Sequence, residues 1–257
     1  DPKMAWQTFI ASADTHGDLI DRKGKNSYQS YILQWIKDHK PKLRLMLGDF
    51  IDAKAIRRGA SMEERSSSMR EDCRAAIGFL RAFRPHKLTL GNHDQRLWLL
   101  AQSEKDGLEV DYARQLAKQF ENEFGAMGTE WVEYDVKKGW IEIGPRGANS
   151  GPKLMSHGYF SNMYPAKSMT QAAGTSTISG HTHAFDFWRQ NNLAGDESYV
   201  SGCGCQIAQD YNRTHARRLK HEHSFLTGSI NDRTGAWIIY RVKKDNETNT
   251  WLDPKRL

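Results

Sequence analysis

Apolar residues along this chain come in short runs that stop at polar, glycine-flanked islands. Thr8-Phe9-Ile10-Ala11-Ser12-Ala13 is a β-prone run ending at Asp14. Residues 27–39 carry Tyr28, Tyr31, Ile32, Trp35 and Ile36 at helical spacing, with Ser27 placed to cap the first turn and Pro41 closing the segment. Leu43-Arg44-Leu45-Met46-Leu47 predicts a second strand that runs into Gly48-Asp49. Residues 61–84 predict one long helix. Met69, Cys73, Ile77, Leu80 and Phe83 form its buried stripe, and Pro85 ends it. Lys87-Leu88-Thr89-Leu90 predicts the third strand, and residues 94–124 predict helix in two pieces broken near Gly107. Two successive strand–helix–strand units imply parallel pairing.

The pattern changes after Gly128. Short β-prone runs follow at Trp131–Val136, Trp140–Ile143, Lys153–Met155, Thr177–Ser179, Ser198–Ser201 and Ala236–Val242, separated by Gly, Pro and Asn. A half of alternating strands and helices followed by a β-rich half predicts an α/β (α+β) fold. Two mixed β-sheets would pack face to face with helices outside, a four-layer αββα sandwich. No linker or internal repeat divides the chain, so a single domain over residues 1–257 is expected.

Composition adds limits. With 38% hydrophobic and 11% aromatic residues and only seven prolines, the chain can build a core. No apolar run approaches the roughly 18 residues a membrane span needs. The opening Asp1-Pro2-Lys3-Met4 has no apolar signal-type segment, so a cytoplasmic protein without a membrane partner is expected. Three cysteines without a framework spacing agree with a reducing compartment, and Cys203 and Cys205 are expected to be small buried thiols. A net charge of +6 modestly favours polyanionic partners.

Five islands carry the chemistry: Asp14-Thr15-His16, Gly48-Asp49-Phe50-Ile51-Asp52, Gly91-Asn92-His93-Asp94, Ser156-His157-Gly158 and Gly180-His181-Thr182-His183. Each follows a β-prone run. Side chains at strand ends converge on one rim of a sheet, and these supply enough oxygen and nitrogen donors for two divalent cations. A lone histidine is ordinarily a structural residue, and Asp-x-His or Gly-Asp-x-x-Asp alone is weak. The two histidines of Gly-His-Thr-His, however, point the same way on an extended segment.

All five blocks, in this order, resemble the calcineurin-like metallophosphoesterase superfamily over about two thirds of the chain. The resemblance implies a two-sheet sandwich flanked by helices and hydrolysis of phosphoesters by a hydroxide bridging two metals. Asp14, His16 and His183 would bind the first metal, Asp49 would bridge, and Asn92, His157 and His181 would bind the second. His157 sits in the shortest block, and His215, His221 and His223 are rival histidines after the last motif. His93 resembles the family's catalytic histidine, here a general acid oriented by Asp52. Mn²⁺ is the metal the resemblance favours, with Fe, Zn, Co, Ni or Mg also compatible with mixed oxygen and nitrogen donors.

The substrate must be read from what surrounds these blocks. Lys54, Arg57 and Arg58 leave the active rim just beyond Asp52, and Arg213, Arg217, Arg218 and Lys220 form a later basic run. Tyr159, Phe160, Tyr164 and Trp188 follow the fourth and fifth islands. Basic groups interleaved with aromatics suit a nucleic acid, so DNA or RNA is the expected substrate and partner. Lys54, Arg57, Arg58, Tyr159, Arg217 and Arg218 are the candidate contacts. The alternative is a phosphomonoesterase, or a cyclic-nucleotide-type phosphodiesterase, acting on a small molecule or phosphoprotein. Arg65, Arg70, Arg74, Arg81 and Arg84 lie off the stripe of the 61–84 helix, as a solvated basic face or a phosphate-binding one.

More loosely, Ser201-Gly202-Cys203-Gly204-Cys205 with the Tyr211 region is similar to a segment of the compact members that tailed phages encode. This implies an intracellular viral enzyme. The repair-nuclease branch often carries histidine where this chain has Asp52, and it adds a capping domain. Only 74 residues follow His183 here and several should finish the sandwich, so a separate capping domain is not expected.

Overall fold

The computed structural model describes residues 6–147, 149, 151–191, 193–207 and 220–255. The parallel units form as the pattern requires. Strand β1 (Trp6–Ser12) pairs in parallel with β2 (Leu43–Met46), which pairs with β3 (Lys87–Thr89) and then β4 (Glu130–Val132). Helices α1 (Tyr28–His39), α3 (Met69–Phe83), α4 (Asn92–Ala101) and α5 (Leu108–Met127) make the connections. On the other side of β1, the antiparallel strands β10 (Ser224–Asn231), β11 (Trp237–Asp245) and β12 (Thr250–Leu252) complete a seven-stranded sheet in the order β12-β11-β10-β1-β2-β3-β4.

The second sheet has the order β5-β6-β7-β9-β8, from β5 (Ile141–Gly144), β6 (Lys153–Met155), β7 (Thr177–Ser179), β8 (Asp186–Arg189) and β9 (Glu197–Val200). Both sheets are mixed, and α6 (Pro165–Ala173) packs on β7, β8 and β9. Strand alternation divides the core in two. Phe9 and Ala11 face Ile141, Met155 and Ile178 between the sheets, whereas Ile10 and Met46 face Ile32, Trp35, Leu80 and Phe83 under the helices. The result is the αββα sandwich expected from the pattern.

Several local expectations needed correction. The helix expected over 61–84 is two helices, α2 (Met62–Arg65) and α3. The serines between them satisfy backbone groups locally: Ser66 and Ser67 hydroxyls donate to the carbonyls of Glu63 and Glu64, and Ser68 caps α3. The expected strand Trp131–Val136 ends at Val132, and the β-prone pattern did not mark β8, β10, β12 or α6. β10 was hidden by its own composition, Ser-Phe-Leu-Thr-Gly-Ser-Ile-Asn. It is central nevertheless, because Thr227 donates to the Phe9 carbonyl and Gly228 leaves room for the Phe9 ring.

Candidate metal centre

The carboxyl ends of the parallel strands lie on one rim, and each island is the turn that follows a strand. These turns are sharp. Asp14, His16, Asp49, His181 and His183 all have positive φ, as do only four other non-glycine residues among those described. Such conformations cost of order 1–3 kcal/mol each and persist where the surroundings fix them. Two glycines let the turns close. A Cβ on Gly91 would lie 2.1 Å from Asp49 Oδ1, and one on Gly180 2.6 Å from Asp14 Oδ2.

Two acids outside the expected set hold the turns. Asp94 accepts from the backbone N–H of Gly91 (2.7 Å) and of Ile51 (2.9 Å), which ties the second and third islands together. Asp72 on α3 accepts from the N–H of Asp52 (3.2 Å) and of Ala53 (2.8 Å). Both acids are buried, and burial raises both: Asp94 well above the carboxylate range and Asp72 to about 6. In sequence, Asp94 is a capping-box acid at the start of a helix and Asp72 a polar residue beside a buried stripe. Neither pattern marks a site.

The structure brings Asp14, His16, Asp49, Asn92, His157, His181 and His183 into one cluster. Hydrogen bonds outside it fix the imidazoles. The Nδ1–H of His157 donates to the Leu47 carbonyl at 2.7 Å, and that of His16 to Asp52 Oδ1 at 3.1 Å. Each Nε2 is left with a lone pair aimed inward. His16 Nε2 lies 3.1 Å from His183 Nε2, which is 3.6 Å from Asp14 Oδ1. His157 Nε2 lies 3.1 Å from Asn92 Oδ1, 3.2 Å from His181 Nδ1 and 3.2 Å from Asp49 Oδ2. Asp49 Oδ2 is also 3.9 Å from His16 Nε2, between the two groups.

Those distances suit cations. Adjacent donors on one ion, each about 2.1 Å from it, sit roughly 3 Å apart. Neutral packing explains the contacts less well, because Asn92 Oδ1 and Asp49 Oδ2 are acceptors facing a nitrogen lone pair. Asp14 Oδ1 is buried without a hydrogen-bond partner, although Asp14 Oδ2 accepts from the His181 N–H at 2.9 Å. Burial, with the Asp49 carboxylate, raises Asp14 well above the usual range, and a cation at Oδ1 would offset that penalty. Burial lowers His16, and it lowers His183 well below the usual imidazole value, which keeps them neutral donors. Burial and then His157 bring His181 down to about 4. Asp49 is the opposite case. Burial pushes it up, but His157, His93 and His16 outweigh burial and hold it well below the carboxylate range. The residues present therefore fit two divalent ions sharing Asp49.

His93 stands at the rim, with 17% of its side chain exposed. Its backbone N–H donates to Asp49 Oδ1 at 2.8 Å, and its ring Nδ1 lies 2.8 Å from the Asp52 carbonyl and 3.2 Å from Asp52 Oδ1. Nε2 faces inward, 4.0 Å from Asp49 Oδ2. Burial lowers His93, but Asp49 and Asp52 together outweigh it and leave it raised. Arg96, one helical turn on, brings Nη1 within 3.2 Å of His93 Nδ1 and donates to the Asp52 carbonyl at 3.4 Å. Besides Arg96, which sequence reasoning missed, the rival histidine His221 and the thiol of Cys205 approach the cluster: the His221 ring is 4.9 Å from that of His183, and Cys205 Sγ is 4.0 Å from His183 Nδ1. Cys203 and Cys205 are both buried, as the sequence led one to expect. His223 is drawn off by the Cys205 carbonyl at 2.8 Å.

The expected substrate contacts are less uniform. Lys54 pairs with Asp18 at 3.7 Å, and Arg57 makes a bidentate pair with Glu64 at 2.7 Å. Arg58 is exposed. The Tyr159 hydroxyl donates to the carbonyls of Asp135 and Gly139, and its ring packs between Tyr134 and Trp140. Arg213, His215, Arg217, Arg218 and Tyr211 lie outside the described residues. Among those described, no helix is long and apolar enough to cross a membrane.

No curated protein matches the chain. A solved dimetal phosphatase from Danio rerio aligns over 93% of this chain and 95% of its own, but at 12% identity and a TM-score of 0.40 the likeness is too slight to bear on function. The family model described as calcineurin-like phosphoesterase matches residues 8–220, and the chain therefore belongs to that family of metal-dependent phosphoester hydrolases.

Proposed function

We propose that this protein hydrolyses phosphodiester bonds of DNA or RNA at the centre built from the five islands. Asp14, His16 and His183 would hold one divalent cation, and Asn92, His157 and His181 the other, with Asp49 shared. Mn²⁺ is the ion favoured. Once bound, the pair supplies Lewis-acid charge to the phosphoryl oxygens and lowers the pKa of water. The observation that carries the reading is the position of His93 beside this nest of acceptors. Its Nδ1 is committed to Asp52, while its Nε2 faces the cluster. His93 can therefore hold a proton on Nε2 and deliver it to the departing ester oxygen, with the Asp52 carboxylate favouring the charged imidazolium.

Two features support a polynucleotide. The net charge is +6, and cations lead away from His93: Arg96 beside it, then Arg57 at the end of the 3₁₀ turn that follows Asp52.

The test is a panel: purified protein with Mn²⁺ against single- and double-stranded DNA, RNA, bis-p-nitrophenyl phosphate and p-nitrophenyl phosphate. Cleavage of the nucleic acids and the diester is expected. Activity confined to the monoester would overturn the reading in favour of a phosphomonoesterase. Asp49→Asn should abolish turnover and reduce bound Mn²⁺ measured by elemental analysis.

A further inference from the structure

A groove of about 800 Å³ lies beside the catalytic rim, outside the candidate metal centre described above. Its floor continues the face of α4 that carries His93. Leu97 and Leu100 follow His93 at i+4 and i+7, so they lie on one helix face. At 1.5 Å per residue, Leu100 is roughly 10 Å along the axis from His93. The 3₁₀ turn after Asp52 supplies one wall through Ile56 and Arg57, and α3 and α5 supply the other through Arg70 and Tyr112.

The lining is strongly basic. Arg57, Arg58, Arg65 and Arg70 face Glu109 as the one acid. Arg57 is held by Glu64, and Arg65 Nε donates to the Ala60 carbonyl. Among the described residues, neither Arg58 nor Arg70 has a carboxylate within ion-pair distance.

We propose that this groove binds single-stranded polynucleotide, holding phosphates several nucleotides from the bond that is cut. The proposal rests on the nucleic-acid reading above. Charge complementarity favours a polyanion, and the apolar floor with Tyr112 favours bases stacked against it. A single strand has free base faces to offer such a floor, whereas a duplex keeps its bases stacked on one another, so single strands should bind better.

The test measures fluorescence anisotropy of a labelled twelve-nucleotide oligo(dT) with the full, metal-free chain across a salt series. The wild type should bind, and bind a duplex of that length more weakly. Arg65→Ala/Arg70→Ala should weaken oligo(dT) binding by about tenfold and flatten the salt slope by about 1.4, the share of two phosphate contacts on a single strand. Arg65→Lys/Arg70→Lys should retain most of that slope, and Lys42→Ala, at the opposite end of β2, should change neither. Wild-type affinity and slope in the alanine double variant would overturn the groove, as would equal binding of duplex. If the wild type cleaves nucleic acid while the double variant binds normally, the groove falls and the proposed function stands. If the wild type neither binds nor cleaves any polynucleotide, both fall.

Discussion

Asp72 offers the sharpest test of how the site is supported. It is 4% exposed and uses both carboxylate oxygens to hold the backbone that presents Asp52. Burial raises it from the ordinary 3.8 to about 6, more than the two N–H donors lower it. At 1.36 kcal/mol per tenfold, that difference is a preference of about 3 kcal/mol for the neutral acid in the fold. The folded value is the higher one, so this contribution to stability is complete below pH 4 and is lost as pH rises through 6. About half of the loss falls between pH 5 and 7.

Asp72→Asn removes the titration. It also replaces one acceptor with a donor, leaving an N–H of the Asp52–Ala53 turn unpaired at a cost of about 1–3 kcal/mol. At neutral pH the two effects nearly cancel, so the discriminating quantity is the pH dependence. Urea unfolding of the metal-free chain, followed by tryptophan fluorescence at pH 5, 6 and 7, should show the wild type losing stability relative to the variant by on the order of 1.4 kcal/mol across that window. Parallel curves would mean that Asp72 titrates normally and that its burial carries no penalty.

Other consequences follow from the same geometry. His93→Ala should slow cleavage of substrates with poor leaving groups by about 10²–10⁴-fold while sparing p-nitrophenyl esters, in steady-state rates with Mn²⁺; full activity on poor leaving groups would remove it as the acid. Gly91→Ala would force a Cβ against Asp49 Oδ1, so Mn²⁺ binding by calorimetry should weaken along with turnover. Phe50 is fully buried among Trp98, Phe120 and Phe124 directly beside Asp49, and Phe50→Ala should cost about 3–5 kcal/mol in urea unfolding.

The sequence by itself determined the parallel strand–helix units, because Phe9-Ile10-Ala11 and Leu45-Met46-Leu47 are apolar on both faces and only a covered sheet buries both. It also placed the candidate donors at strand ends, since each island begins where a β-prone run stops. What only the tertiary structure decided were contacts between residues distant in the chain. Asp72 reaches the Asp52 turn from another helix, Asp94 joins two islands, and Arg96 approaches His93 only because α4 begins at Asn92. Ser66 to Ser68 split a helix that its stripe alone made continuous, because hydroxyl-to-backbone bonds leave no mark on hydrophobic periodicity. Periodicity records which face of an element is buried; which elements meet, and at what distance, is set by how those faces pack.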